Sequence, residues 1–470
     1  MPSKSRPSRR EFVKTAAVGA AALSVPGALS SALRAQDAAA GGKTLRLGFI
    51  GIGKMGQGHL NGFLNYKGVT VTAVCDVYQT RREAARETVD TKYAEFERKG
   101  VQPCKEYKHY RELLADKEID AVLIAVPDHW HTRVATEACK AGKDIYCEKP
   151  LTLTIDEAKR IIEVVRKHDR VFQTGSQQRS EGPFADAVDM IRGGRIGKVK
   201  AVQVGIGPTS KPCDLPEQPV PAGLDWNEWL GQAPQRPYNE VLCRPGLPDT
   251  YPFNPGWRDY REFSGGHVTD WGAHHFDITQ WALSMDNSGP SEIIPPEKQG
   301  DLYGVKLIYR GSPAGDEIVV THTNRIDYTA VGQDGKPEQK SEGNGILFVG
   351  DKGKIFVNRG VLVSEPDGIA KTPLSESEKK VHRTDGKGMG AHHRNWVDCI
   401  ASRQRPICDV EIGARSVTVC HLANIAYWYG QPGKSLKWDP QKWEFTGEGA
   451  EQANQYRTRA RRAGYELLEA

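Results

Sequence analysis

The stretch "LRLGFIGIGKMGQGHL", Leu45–Leu60, decides the fold. Leu45–Ile50 is a short apolar run of the kind buried on both faces of a parallel sheet. Gly51-Ile52-Gly53-Lys54-Met55-Gly56 follows as a G-x-G-x-x-G turn, and a helical pattern then runs to about Tyr66. A second apolar strand, "VTVTAVCD", ends on Asp76, 20 residues after Gly56. A strand, a glycine turn, a helix and a second strand closed by an acid make a dinucleotide-binding unit. In such a unit Gly51 permits the tight turn, Gly53 lets backbone approach a pyrophosphate, and Gly56 lets the helix pack on the strand. The helix N-terminus faces the phosphates. Asp76 would accept the adenosine ribose hydroxyls, and a carboxylate there favours NAD. Arg81 and Arg82, close by, leave NADP open.

Outward from this unit the same alternation continues. "DAVLIAVP" (Asp120–Pro127) reads as a third buried strand and "TRVATEACKAG" as a helix ending at Gly142. "DIYCEKP" reads as a short strand ending at Pro150. "TIDEAKRIIEVVRKH" reads as a helix capped by Thr154, and "RVFQTGSQQR" as the next strand. Strands alternating with helices predict an α/β, doubly wound parallel sheet over residues 44–178. Past about residue 180 the strands lengthen and alternate, as in "KVKAVQVGIG", "LYGVKLIYR", "EIVVTHTNR" and "GILFVGDKGKIFVN". They predict an α+β domain over 179–470 with an open, mainly antiparallel sheet. Within it, residues 208–264 are rich in Pro, Trp and Gly and read as an elaborated loop over a site.

The N-terminus tells a second story. Arg9-Arg10 precede Phe12-Val13-Lys14 and an Ala/Gly-rich apolar run to about Leu33, the pattern of a twin-arginine export signal over residues 1–35. Residues 36–43 read as a linker. Six of the 64 basic residues and one of the 59 acidic residues lie before Gln36, which leaves 58 of each. The excess positive charge thus belongs to the leader and gives no argument for nucleic acid. Pro26 and small residues make the run a poor anchor, so no stable membrane attachment is expected after cleavage. Nine cysteines without a C-x-x-C pair describe neither a metal framework nor a complete disulfide set.

Three further groups carry chemistry. Glu148-Lys149-Pro150 closes a strand at the carboxyl edge of the sheet, where open α/β sheets bind ligands. Lys149 there could stabilise a developing alkoxide, though spacing alone leaves a surface lysine equally open. In "SGGHVTDWGAHHFD" (Ser264–Asp277), Asp270, His274 and Asp277 would share one helix face, with Asp277 a candidate substrate-binding group alongside Arg179. Asp270 would orient His274, and His274 would accept a hydroxyl proton; a helix-face pair without catalytic role reads as well. In "WRDYREFSGG", Trp257 could stack on a sugar face and Arg258 could anchor a hydroxyl or carboxylate. His267, which a helix N-terminus would keep neutral, and Tyr260 are candidate second bases; His267 and His275 read equally as packed or surface residues.

Together the Gly51–Gly56 turn, "VPDHWH" (Val126–His131), "EKP", "DWGAHHFD" and "GILFVGDKGKI" resemble the Gfo/Idh/MocA oxidoreductase family over nearly the whole chain after the leader. The resemblance implies a Rossmann domain, an open-sheet α/β domain, and a carbohydrate or inositol substrate. It implies that Lys149 is the family's EKP lysine and that Asp270 and His274 are its acid–histidine pair. It implies that Pro127, Asp128, His131 and Glu148 border the cofactor, that Gln177 and Arg179 line the site, and that the chain assembles as a dimer or tetramer. "LDWNEWLGQAP" and the 208–264 insertion resemble a secreted subgroup of the family.

An exported nicotinamide enzyme meets no dinucleotide pool. The twin-arginine route carries folded proteins, so the expectation is a periplasmic or secreted enzyme loaded before export, with tightly held NAD recycled within each turnover. Paired oxidation and reduction of two sugars, epimerisation, or glycoside elimination through a keto-sugar would each satisfy this. A sugar-binding protein without catalysis, and a cytoplasmic dehydrogenase with a misread leader, are the contrasting expectations.

Overall fold

The computed structural model describes residues 44–470 apart from 99, 249–255, 333–334 and 385. The expected leader (1–35) and linker (36–43) lie outside the described residues. β1 (Leu45–Ile50) ends in four fully buried residues and pairs in parallel with β2 (Val69–Cys75) and β4 (Ala121–Ile124). With β3 (Lys105–Tyr107), β5 (Asp144–Cys147) and β6 (Phe172–Thr174) they make an all-parallel sheet ordered β3-β2-β1-β4-β5-β6. Strand order reverses between β1 and β4, so a crevice opens there at the carboxyl edge. β3 was not legible: its three residues are mostly exposed and charged. The helix after β4 starts at Asp128, ahead of the expected Thr132, because His129, Trp130 and His131 turn into the interior. The next helix (Ile155–Lys167) is capped as expected, the Thr154 hydroxyl accepting from the Glu157 N–H at 3.3 Å.

The second sheet has nine strands. β7 (Val199–Gly205), β8 (Glu292–Ile294), β9 (Lys306–Ser312) and β10 (Gly315–Thr323) precede a separate hairpin of β11 (Ile326–Val331) and β12 (Pro337–Glu342). β13 (Gly345–Gly350), β14 (Lys354–Asn358), β15 (Val361–Glu365), β16 (Leu436–Asp439) and β17 (Glu444–Thr446) complete it. Every pairing in this sheet is antiparallel except β7 with β10, and the order is β15-β14-β13-β7-β10-β9-β8-β16-β17. Helices Gly182–Arg192, Gly272–Ala282 and Val410–Tyr429 pack on its strands. The last of them also packs on helix Ile155–Lys167 of the parallel sheet, so one apolar cluster runs through both sheets.

The 208–264 segment has its own small core of Trp226, Trp229, Tyr238, Trp257, Tyr260 and Phe263. Trp226 and Trp229 stack at 4.7 Å. The segment is fixed to its surroundings from below and behind. Trp130 Nε1 donates to the Trp229 carbonyl at 2.9 Å. From the C-terminal tail, Arg462 donates to the Gly231 carbonyl at 2.5 Å and to Asn227 Oδ1 at 2.8 Å, and Arg459 to the Glu262 carbonyl at 3.2 Å.

Candidate active site

The cleft begins at the glycine turn. Gly51 has φ +90°, and a Cβ there would stand 2.7 Å from the Ala125 carbonyl oxygen. A Cβ on Gly56 would stand 2.0 Å from the Gly51 carbonyl oxygen. A Cβ on Gly53 would meet nothing, which leaves open space beside the N-terminus of helix Lys54–Leu64. That space is shaped for a pyrophosphate. Asp76 is pinned beside it: Oδ2 accepts the Ile52 N–H and Oδ1 the Tyr78 N–H, each at 2.8 Å. Ile52 itself is buried and contributes through that N–H. Each carboxylate oxygen keeps a lone pair for a ribose hydroxyl. Lys54, Met55, Asp76, Pro127, Asp128, His131, Glu148 and Lys149 all line the cleft, so these residues fit a dinucleotide. Arg81 lines it too, but its guanidinium is committed to the Arg244 carbonyl at 2.7 Å. Gln177 lies off the lining, at the start of a turn after β6, with its buried Oε1 unpartnered.

Between the phosphate and reaction ends, three buried groups are tuned. Burial pushes the Asp128 carboxyl up to about 7, and the Ser264 hydroxyl donates to Oδ2 at 2.6 Å. His131 lies between the Val126 and Pro150 carbonyls at 2.9 and 2.8 Å, and burial lowers its pKa. Burial would raise Glu148, but its 2.8 Å contact with His59 Nε2 holds it below the usual carboxylate range. His59 Nδ1 lies 2.8 Å from His393 Nε2, so a carboxylate and two imidazoles stand in line behind the EKP turn.

At the reaction end Lys149 Nζ donates to Asp270 Oδ1 at 2.7 Å and to the Asp270 carbonyl at 3.1 Å. Arg258 Nε donates to the same Oδ1 at 3.1 Å while its guanidinium stacks on Trp257 at 4.7 Å. Burial opposes ionisation of Asp270, but the Lys149 and Arg258 charges hold it well below the usual range. His274 is buried. Burial first, then the charges of Lys149 and Arg359, drive its pKa well below 6.5, so the ring is neutral and able to accept a proton. Its Nε2 faces an Arg359 guanidinium nitrogen at 3.3 Å, and its buried Nδ1 has no partner.

Several expectations are corrected. Asp270 and His274 do not share one helix: Asp270 ends the short helix His267–Asp270 and His274 lies in Gly272–Ala282, with Trp271 between. Among the described residues no hydrogen bond joins them, because two cations claim the Asp270 carboxylate ahead of a neutral imidazole. Asp270 therefore orients Lys149, not His274. Arg179 and Asp277 are not substrate groups. They form a bidentate pair at 2.8 and 2.9 Å, 2% and 0% exposed, backed by Asp286 and the Ser416 hydroxyl. Tyr260 packs into the aromatic core of the 208–264 segment and, like Asp270 and His274, lies off the lining of the dinucleotide cleft. His267 opens its four-residue helix, half-buried against Gly207. Trp257 and Arg258 do line the cleft. Sequence reasoning missed Arg359, His59, Ser264 and the tail arginines; each acts through a contact far along the chain that no local pattern marks.

Residues 45–176 match a family described as an oxidoreductase family with an NAD-binding Rossmann fold, and residues 209–467 match its C-terminal alpha/beta domain. An inositol 2-dehydrogenase of Salmonella typhimurium is 35% identical over 157 residues, 33% of this chain and 44% of that protein. A glycosyl hydrolase family 109 protein of Shewanella pealeana is 30% identical over 208 residues, 41% of this chain and 44% of that protein. The chain thus spans about half the length of the curated relatives it matches. The WlbA dehydrogenase of Bordetella pertussis, solved with NADH and UDP-GlcNAcA, superposes with a TM-score of 0.53 at 15% identity, over 84% of this chain and 99% of that one. At that identity the likeness shows the fold alone. The two family matches run across both sheets and the cleft between them, and the chain belongs to the Gfo/Idh/MocA oxidoreductase family, with an NAD-binding Rossmann domain at its N-terminal end.

Proposed function

We propose that the protein oxidises a hydroxyl-bearing carbon of a sugar, glycoside or cyclic polyol, with NAD held through the catalytic cycle. NAD supplies a hydride acceptor when bound. The observation that carries the reading is the placement of Lys149: at the carboxyl edge of the parallel sheet, lining the dinucleotide cleft, with Nζ fixed at 2.7 Å from Asp270 Oδ1. An ammonium so held meets a substrate oxygen without first paying to be ordered. His274, neutral because it is buried between cations, takes the hydroxyl proton. Arg258 shares Asp270 with Lys149, and Trp257 beside it offers a flat apolar face to a sugar ring.

Retention of NAD is supported by the 208–264 segment. Its residues Trp229, Leu242, Cys243 and Trp257 line the cleft opposite the glycine turn, and Lys54 Nζ, beside that turn, donates to the Pro248 carbonyl at 3.2 Å. Such closure fits the Arg9-Arg10 leader, which supports export of a pre-loaded enzyme to the periplasm or beyond. The inositol dehydrogenase relatives favour net oxidation of a polyol; the glycosyl hydrolase relative keeps the keto-sugar route to glycoside cleavage as the second reading. Incubation of the purified full chain with myo-inositol and a panel of methyl glycosides, following near-ultraviolet absorbance and released alcohol, tests both. Reduction of bound cofactor supports the reading, and alcohol release without net reduction selects the second. A protein that binds these sugars yet shows neither signal, and no exchange of the carbon-bound hydrogen, refutes it.

A further inference from the structure

We propose that the reaction end of the cleft is built for an anionic sugar, a uronic acid or its glycoside, whose carboxylate is received by Arg359. The proposal rests on the sugar-oxidation reading above and narrows its substrate class. Arg359 lies in the turn between β14 and β15, exposed, and reaches across to the site. Its guanidinium stacks on Trp271 at 4.9 Å from the ring centroid, and one of its nitrogens donates to His274 Nε2 at 3.3 Å.

Arg359 stands apart from the ion pairs around it. Lys149 and Arg258 both spend their hydrogen bonds on Asp270. Arg179, buried in the turn after β6, is matched by Asp277 and Asp286. Arg359 forms no ion pair within 4.0 Å among the described residues, and its polar side-chain partner is a neutral imidazole. The half-buried Glu181 carboxyl feels the Arg359 charge without an ion pair to it, and burial raises its pKa. Lys149 and Arg258 thus share Asp270 and also feel the Asp128 and Glu148 carboxyls, whereas Arg359 has no carboxylate in contact among the described residues.

A neutral imidazole is a poor partner for a guanidinium, whereas a carboxylate takes its two-pronged fork in charge-assisted bonds. A substrate carboxylate would draw Arg359 off His274 Nε2. The same movement frees that lone pair for the hydroxyl proton, while His274 Nδ1, buried and unpartnered, stays as the ring's N–H. A neutral sugar lacks the group that pulls Arg359 away, so its hydroxyl competes with a cation for the base. Substrate choice and release of the base are one event, which is how binding energy away from the reacting carbon is turned into rate.

The test pairs methyl β-D-glucuronide with methyl β-D-glucoside, and the galacto and manno pairs likewise, on the cofactor-loaded full chain in single turnover. The uronides are expected to reduce bound cofactor about tenfold or more faster at equal concentration, and Arg359→Gln to collapse that ratio. Arg359→Lys, which keeps charge but loses the fork, should retain part of it. Equal or better reduction by the neutral glycosides in the unaltered protein overturns the anionic subsite and leaves sugar oxidation standing. An unchanged ratio in Arg359→Gln overturns the role of Arg359. Reduction by no member of any pair overturns both readings.

Discussion

On the floor of the cleft the residues that matter are neighbours in the chain. Gly51, Gly53 and Gly56 stand between β1 and the first turn of helix Lys54–Leu64, Asp76 directly follows β2, and Lys149 is the second residue after β5. On the other side, the 208–264 segment takes its place from residues 99 to 235 positions away. Arg462 holds Gly231 and Asn227, Arg459 holds Glu262, and Trp130 holds Trp229. The floor is a matter of backbone shape; the lid is a matter of side chains gripping carbonyls. Damage to the floor should therefore strike chemistry or cofactor outright, and damage to the lid should change how long the cofactor stays.

The largest effect is expected at Lys149. Lys149→Met removes the ammonium at the substrate oxygen and should lower kcat by about 10²–10³-fold, as loss of one fixed oxyanion donor does. Dinucleotide released on denaturation should stay near that of the parent. Normal turnover would remove Lys149 from the mechanism; lost dinucleotide would make it a floor residue of another kind. Next is Gly56→Ala. The new Cβ would sit 2.0 Å from the Gly51 carbonyl oxygen, so either the turn or the helix must move. Overpacking of this kind costs about 1–3 kcal/mol, seen as a lower urea midpoint together with reduced dinucleotide content. Unchanged content would mean that the turn does not set cofactor binding.

The same contrast explains what the sequence showed. The parallel sheet, its crevice, the Thr154 cap and the mainly antiparallel second sheet were legible, because turn glycines and strand alternation are local signals. The dinucleotide floor was legible for the same reason. The reaction end was half legible. Lys149, Asp270 and His274 do converge, but which of them pair depended on Arg258 and Arg359, whose arrival no spacing foretells. Arg179 and Asp277 were misplaced because a buried ion pair and a substrate pair look alike in one dimension; only burial separates them. β3 escaped because three mostly exposed, charged residues carry no apolar pattern.

A smaller effect tests the lid. Arg462→Ala deletes its bonds to Gly231, Asn227 and Gln235 on an exposed strap, leaving the floor untouched. Dissociation of NADH from the reduced enzyme, followed by loss of bound-cofactor fluorescence into a trapping dehydrogenase, should speed up by about tenfold, the worth of one or two such bonds. The single-turnover rate constant of the loaded enzyme should hold. A slower chemical step with unchanged retention would place the strap in catalysis and dissolve the distinction drawn here.

A pH-dependent effect lies where floor and lid touch, at Asp128 and the Ser264 hydroxyl 2.6 Å away. Asp128 belongs to the helix after β4, Ser264 to the end of the 208–264 segment. Burial raises the Asp128 carboxyl to about 7, so between about pH 4 and 7 the folded chain keeps a proton that an unfolded chain has lost. Stability attributable to this group is therefore present at the acid end and declines as the pH rises towards 7. Above that, the carboxylate is buried as an anion, partly offset by Arg258 and Lys149. Asn at this position stays neutral at every pH and can still accept from Ser264. Asp128→Asn should therefore gain on the parent by roughly 2 kcal/mol between pH 5 and pH 8 in urea unfolding, with the advantage growing as pH rises. Parallel stability curves across that range would mean that Asp128 is ionised throughout and that its bond to Ser264 is an ordinary charged one. The seam between floor and lid would then be insensitive to pH, and cofactor retention should show no change between pH 5 and pH 8 either.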